Sequence, residues 1–130
     1  MKYLSVEKII ELNVLAINLI KVKKADKAEV KSRQKITDSI NETTGKQGDI
    51  YDKAVVLAKG LIQKHAFASG NRRTAFLAAK YFLIENSQKF GPKDDANQSK
   101  VMLGIREQYY SDEEIKGWLK NGKIKEFVRR

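Results

Sequence analysis

Residues 65–85 read HAFASGNRRTAFLAAKYFLIE and contain the feature that decides the fold. From position 72 to 85 this segment predicts a helix whose surface is apolar nearly all round. Its apolar residues are Ala75, Phe76, Leu77, Ala78, Ala79, Tyr81, Phe82, Leu83 and Ile84. A helix with so little polar surface is stable only where other helices surround it. The segment therefore predicts a central buried helix that follows a short loop.

The rest of the chain also shows helical periodicity, with no strand-like alternation of comparable strength. Helices are predicted over residues 6–20, 51–64, 72–85, 94–109 and from 112 onward, and a surface helix or partly ordered arm over 26–41. Their predicted N-caps are Ser5, Asp49, Asp94 or Asp95, and Ser111, the last in a capping box. Two glycines and no apolar residue mark 41–49 as a loop. We expect a compact all-α fold with one domain over residues 1–130.

Composition excludes several classes of protein. The chain has 130 residues, no cysteine, one histidine and a net charge of +10. It therefore has no disulfide scaffold, no Cys–zinc site and no thiol nucleophile. Glu7 and Glu11 interrupt what would be the apolar core of a signal peptide, and the apolar runs are too short for a membrane span. We expect a cytoplasmic protein without a membrane partner.

The basic charge balance indicates an anionic partner. Residues 21–35 hold seven of the basic residues, but no aromatic residues alternate with them as in a single-strand binder. A solvated basic face explains this run better than a docking site for an acidic protein, and nucleic acid is the least favoured partner.

Residues 65–73 contain the groups that could carry chemistry. The unpaired N–H groups at a helix N-terminus form an anion site, Gly70 allows a close approach to the backbone, and Asn71 is a candidate cap. Arg72 and Arg73 interact unfavourably with the positive end of the helix dipole, unless a bound anion lies between their side chains and the helix N-terminus. His65 is a candidate general base. A structural histidine and solvated arginines are the alternative, but the order of the segment favours group transfer from a nucleotide to a hydroxyl.

The spacing His65-x-Phe67-x-x-Gly70-Asn71-x-Arg73 resembles the signature H-x-F-x-[D/E]-G-N-x-R of the Fic/Doc family. The Arg73-Thr74-Ala75 ending, together with Arg72, is most similar to the Doc (death-on-curing) toxin branch. A weaker similarity covers residues 3–10, which resemble the opening helix of Doc-like proteins.

This resemblance implies an all-α Fic/Doc fold and transfer of part of ATP, with Mg²⁺, to a protein hydroxyl. His65 would be the general base and Arg73 a catalytic phosphate ligand. Ser69, Gly70, Asn71 and Arg72 would complete the nucleotide- and phosphate-binding loop, and Phe67 would anchor it in the core. The implied partners are a translation elongation factor as target and a separate antitoxin protein. Residues 43–48 lie where the family has a flap that aligns the target, although a plain loop is the simpler interpretation.

Three positions depart from the family pattern. Ala66 replaces a frequent proline, which loosens the loop and changes little else. Phe76 stands where AMP-transferring members have a second arginine, which favours the Doc branch. Ser69 stands at the Asp/Glu position that holds Mg²⁺, so its neutral hydroxyl implies a weaker metal site. The first hypothesis is a Doc-like toxin that phosphorylates a protein hydroxyl. The alternatives are AMP transfer and a catalytically impaired Fic-fold binding module, with a small nucleic-acid binder a distant third.

Overall fold

The computed structural model describes residues 1–19 and 27–129, which form six helices and no named strand. The all-α prediction is confirmed. Position 20 of the first predicted helix and the residues up to 26 lie outside the described residues. The helices are α1 (Val6–Leu19), α2 (Arg33–Gly45), α3 (Ile50–Lys64), α4 (Asn71–Glu85), α5 (Ala96–Arg106) and α6 (Asp112–Asn121).

Side-chain caps set the start of most helices. Ser5 Oγ accepts a hydrogen bond of 3.0 Å from the N–H of Lys8, so it caps α1 as predicted. Asp49 and Ser111 each form a full capping box, at the starts of α3 and α6. Of the two candidates for α5, Asp95 is the cap. These contacts are local in sequence, and each satisfies N–H groups that a helix start leaves unpaired.

The core is built on α3 and α4, which pack along each other at the centre of the molecule. α3 also contacts α2, α5 and α6, while α4 lies between α1, α3 and α5. Phe76 and Phe82 of α4 are fully buried, which confirms a buried helix after the motif loop. One stripe of α4 remains open to solvent, at Tyr81 and Ile84.

The prediction for residues 26–49 was wrong in part. Residues 27–32 are not helical, and Val30 forms an isolated antiparallel bridge with Phe67 of the motif loop. α2 continues to Gly45, through residues predicted as a loop. A lysine from α3 explains this, because the buried Lys53 Nζ donates to the carbonyl groups of Thr43, Thr44 and Lys46 at 2.8–3.3 Å. A cation at the C-terminus of a helix binds its last carbonyls and stabilises the dipole.

The fifth helix ends earlier than predicted, at Arg106 rather than near Tyr109. Gln108 takes a left-handed conformation, with φ of 59°, and that geometry ends a helix. Residues 123–129 form no regular structure. They lie against the core through Tyr110, whose hydroxyl donates to the carbonyl of Lys125 at 2.9 Å.

Candidate functional site

The loop between α3 and α4 begins at His65, the C-cap of α3. This residue is left-handed, with φ of 51° and ψ of 54°. Such a conformation is uncommon outside glycine, although histidine adopts it more readily than most residues. The side chain is exposed, and within the described part of the chain its imidazole has no hydrogen-bond partner. His65 is therefore accessible to a substrate and does not belong to the core.

The loop is fastened to the molecule on both sides. Phe67 is 2 % exposed and packs in the core, as predicted. Residues 29–31 pair with the loop backbone: Lys31 N donates to Ala66 O at 2.8 Å, and Ala68 N donates to Glu29 O at 2.9 Å. The loop that carries His65 is thus held by backbone hydrogen bonds and by a buried aromatic ring.

The prediction that Asn71 caps α4 was wrong. Gly70 is the N-cap, with φ of 76°, and it provides no side-chain hydrogen bond. Asn71 is the first helical residue, and its side chain turns back to the loop. Its Oδ1 accepts from the N–H of Phe67 at 3.1 Å, and its Nδ2 donates to the carbonyl of Phe67 at 2.9 Å. Asn71 therefore closes the loop, and its side-chain amide is already committed to that role.

The N-terminus of α4 leaves a set of backbone donors available. Within the described residues, the N–H groups of residues 70–73 have no hydrogen-bond partner, and the first backbone bond of the helix runs from Thr74 N to Gly70 O. These residues line a cavity of about 230 Å³. The cavity is formed by Ala16, Ile17, Gly70, Asn71, Arg72, Arg73, Gln98, Ser99 and Met102. Four of the predicted phosphate-binding residues thus share one cavity, which His65 and Ser69 do not line.

Arg73 is bound by an acid that the sequence did not connect with it. Its Nη1 and Nη2 donate to the carboxylate oxygens of Asp94 at 2.7 and 2.8 Å. These hydrogen bonds hold the pKa of Asp94 below its ordinary value. The Nε of Arg73 is buried and has no partner in the described residues. Asp94 accepts one N–H from each terminal nitrogen, so the guanidinium charge of Arg73 is already paired with a carboxylate.

Arg72 also lines the cavity and is exposed. Partial burial is the main cause that lowers its pKa, and the neighbouring Arg106 adds to the effect. A cation close to another cation gains from a bound anion, because the anion reduces the repulsion between them.

Ser69 does not provide a site that fits Mg²⁺. Its backbone carbonyl accepts a hydrogen bond of 2.9 Å from Asn13 Nδ2, and its side chain contributes only a neutral hydroxyl. Within residues 1–19 and 27–129, no group of three or more acidic, histidine or cysteine side chains could hold a metal ion. Mg²⁺ requires carboxylates or phosphates among its ligands.

Two residues at the site were missed by the sequence analysis. Asn13 is 1 % exposed, and its Nδ2 also donates to Thr74 Oγ1 at 3.0 Å. The available signal was a single polar residue within the apolar stripe of α1. The sequence predicts Asp94 only as a possible start of the fifth helix, and nothing in its local sequence indicates a pairing with Arg73.

Comparison with known proteins gives one match. The model of the Fic/DOC family matches residues 3–83, which include α1, the motif loop and most of α4. It extends neither to Asp94 nor to the two helices that follow, α5 and α6, of which α5 supplies Gln98, Ser99 and Met102 to the cavity. No curated protein matches the chain. Across the described ranges, no helix is both long and apolar enough to cross a membrane.

Proposed function

Because the chain belongs to the Fic/DOC family, we propose that it is a Doc-like toxin that transfers the γ-phosphoryl group of ATP to a hydroxyl group of a protein. Proteins of this family modify other proteins by nucleotide transfer and use ATP, typically with Mg²⁺. The finer assignment, to phosphoryl transfer by a toxin, rests on the site.

One observation carries this proposal: free backbone donors and an exposed histidine lie on the same loop. Residues 70–73, whose N–H groups have no hydrogen-bond partner in the described residues, line the cavity at the start of α4. The helix dipole and these donors favour phosphate oxygens. The cavity volume of about 230 Å³ is below that of a site that encloses a drug-sized ligand. It suits part of the phosphate chain, so that most of the nucleotide lies outside.

The proposed reaction moves one phosphoryl group and one proton. His65 accepts the proton of the target hydroxyl, and the hydroxyl oxygen forms a bond to the γ-phosphorus. The bond between that phosphorus and the oxygen that bridges it to the β-phosphate breaks, and ADP leaves with the bonding electrons. A base placed in this way contributes about 10²–10⁴-fold to the rate. The loop N–H groups stabilise the charge on the phosphate oxygens.

Phe76 favours phosphoryl transfer over AMP transfer. It is 1 % exposed and packs edge-on against Phe90, with 5.3 Å between ring centroids. A guanidinium at this position of α4 would be buried among aromatic rings without a partner. The chain thus has no second arginine there to hold the far end of a triphosphate, as the AMP-transferring members have.

The backbone around Val30 offers an edge for the target protein. In the Val30–Phe67 bridge, Glu29 O and Lys31 N face the motif loop, so the N–H and carbonyl of Val30 face the opposite edge. A target segment that adds as a strand on this edge would pair with the backbone of Val30. Residues 43–48, the flap suggested by the sequence, lie near the start of α3. Lys53 binds the carbonyls of Thr43, Thr44 and Lys46, and twelve residues of α3, about 18 Å, separate Lys53 from His65. The flap suggested by the sequence is therefore distant from His65 along α3.

A binding module without activity is the second candidate, and two observations support it. Ser69 lacks the acid of the signature, and Asp94 occupies both terminal nitrogens of Arg73. For the toxin and for the binding module alike, we propose a translation factor as target and a separate antitoxin as regulator. These two partners rest on the resemblance to Doc proteins alone.

Label transfer in a cell lysate tests these functions. The protein is incubated with γ-labelled or α-labelled ATP, and His65→Asn serves as control because asparagine tolerates a left-handed backbone. We expect γ label on one protein band with the wild type and its loss in the variant. An α label would establish AMP transfer instead. If folded protein transfers neither label, ATP-dependent transfer is excluded, which leaves the binding module or transfer from a different donor.

A further inference from the structure

Asn13 of α1 makes two hydrogen bonds to the region of the motif loop. Its Nδ2 donates to Ser69 O at 2.9 Å and to Thr74 Oγ1 at 3.0 Å, so both amide protons are used. The side chain is 1 % exposed. One buried amide thus joins the last residues of the loop to the first turn of α4, and no other side chain in the described residues donates to the Ser69 carbonyl.

The hydrogen bond to Ser69 determines which way the next N–H group points. Ser69 C=O and Gly70 N–H belong to the same planar trans peptide, so they point in opposite directions. Asn13 binds the carbonyl on the α1 side, and the N–H of Gly70 is therefore directed away from Asn13. This N–H is the first of the backbone donors at the start of α4.

α1 restricts the loop on the same side by packing. A Cβ atom on Gly70 would lie 2.9 Å from Ile17 Cδ1 and 3.4 Å from Asn13 Nδ2. A rotation of the Ser69–Gly70 peptide would break the bond to Asn13 and leave a carbonyl without a donor near the isoleucine. A polar group without a hydrogen-bond partner is destabilising in such a setting, so the observed orientation is preferred.

We propose that Asn13 is a positioning residue that orients the Ser69–Gly70 peptide so that the Gly70 N–H serves as a phosphate donor. The role as phosphate donor rests on the proposed function, whereas the orientation itself does not. Asn13 acts only through the loop and touches no reacting atom.

Asn13→Leu tests the inference, because leucine has a similar size and no donor. The matched control is Thr43→Val, which removes a hydroxyl that is 2 % exposed and donates to Ser39 O at 2.7 Å, far along the chain from the loop. ¹H–¹⁵N spectra of the free proteins compare the amide signals of Gly70 and Asn71. We expect these signals to move in Asn13→Leu and to stay in place in Thr43→Val. ATP affinity should fall about tenfold in Asn13→Leu alone, as expected for loss of one hydrogen bond to a charged group.

Unchanged Gly70 and Asn71 signals in folded Asn13→Leu would overturn the inference, whether or not ATP binds. Should that variant fail to fold, solvent exchange of the Asn13 side-chain amide is measured in the wild type. Slow exchange supports the two hydrogen bonds, and fast exchange contradicts them. Failure of the proposed function gives a different result: no label is transferred, while the amide signals still respond to the substitution.

Discussion

Asp94 binds Arg73 through two parallel hydrogen bonds of 2.7 and 2.8 Å, between a carboxylate after α4 and a guanidinium in the first turn of α4. Arg73 lines the cavity, and its side chain is 15 % exposed, against 43 % for Asp94. The arginine expected to bind phosphate is therefore neutralised by an acid that comes from outside the residues matched by the family model.

Asp94→Asn is expected to raise the affinity for ATP. The substitution removes the charge that competes with phosphate for Arg73 and leaves the guanidinium beside the cavity. We expect roughly a fivefold lower Kd, which corresponds to the energy of a partly exposed ion pair. The affinity should also depend more steeply on salt concentration. Calorimetric titration at two salt concentrations measures both effects.

The control for this experiment is Asp112→Asn, which breaks an exposed pair with Lys59 away from the cavity. It should leave the affinity unchanged. Weaker binding by Asp94→Asn would contradict the prediction and indicate that Asp94 holds Arg73 in the orientation a ligand needs.

Ser69→Asp is expected to make ATP binding depend on Mg²⁺. A carboxylate at this position restores the charged ligand of the family signature, and Mg²⁺ binds through carboxylates together with substrate phosphates. We expect the affinity for ATP with Mg²⁺ to increase about tenfold, in binding assays with and without the metal. Ser69→Asn has nearly the same shape and no charge. Equal behaviour of the two variants would show that the missing carboxylate is not what limits the metal site.

Gly70→Ala is expected to lower the free energy of unfolding by about 1–3 kcal/mol, because a residue with a side chain is strained at φ of 76°. The added Cβ would also press on Ile17 Cδ1 at 2.9 Å. In an Ile17→Val background that atom is absent, so the same substitution should cost less. Urea denaturation of the four proteins of this cycle separates the two contributions.

The comparison for Gly70 is Gly117→Ala in α6, where a Cβ meets no atom within 4 Å. In an open helix interior alanine should stabilise by about 0.5–1 kcal/mol. Similar effects at both positions would mean that neither the backbone conformation nor α1 makes Gly70 necessary.

Acid should remove the stabilisation that Asp52 provides. The pKa of Asp52 is lowered chiefly by the hydrogen bond from Lys116, then by the capping bond to the backbone of Asp49. A carboxyl whose pKa is lower in the folded state stabilises above its unfolded pKa, and this contribution is lost as pH falls through the folded value. Lys116→Met should therefore lower Tm at neutral pH, and this effect should shrink as pH falls below the ordinary aspartate pKa of about 3.9.

Lys123→Met provides the reference for the general loss of one positive charge, because Lys123 is exposed in the segment after α6. A difference between Lys116→Met and wild type that persists at low pH would show that Lys116 acts by packing rather than through the carboxylate.

Local contacts made much of the fold predictable. Ser5, Asp49 and Ser111 cap helices through bonds to residues three positions away, so their sequence neighbourhood was sufficient. The end of α2 was not predictable in this way. Gly45 and the threonines before it favour a loop, and they are helical because Lys53, from the next helix, binds their carbonyls.

The loop 65–73 was recognisable from spacing alone, but the roles of its side chains were only partly so. Phe67 is buried as expected, because a large aromatic side chain flanked by small residues is stabilised by packing in the core. Asn71 looked like a cap because caps are the commonest use of asparagine at a helix start. Its hydrogen bonds to Phe67 depend on the return of the loop in three dimensions.

The amino-acid sequence by itself determined that the protein is all-helical, where four of its helices are capped, and that a Fic/DOC motif precedes a buried helix. Only the tertiary structure decided that Asn13 holds the motif loop, that Asp94 neutralises Arg73 and that α5 closes the cavity. Periodicity and capping act over three or four residues, so they can be seen in a short window of sequence. The contacts of the site join residues 56 and 21 positions apart, and the packing of helices brings them together.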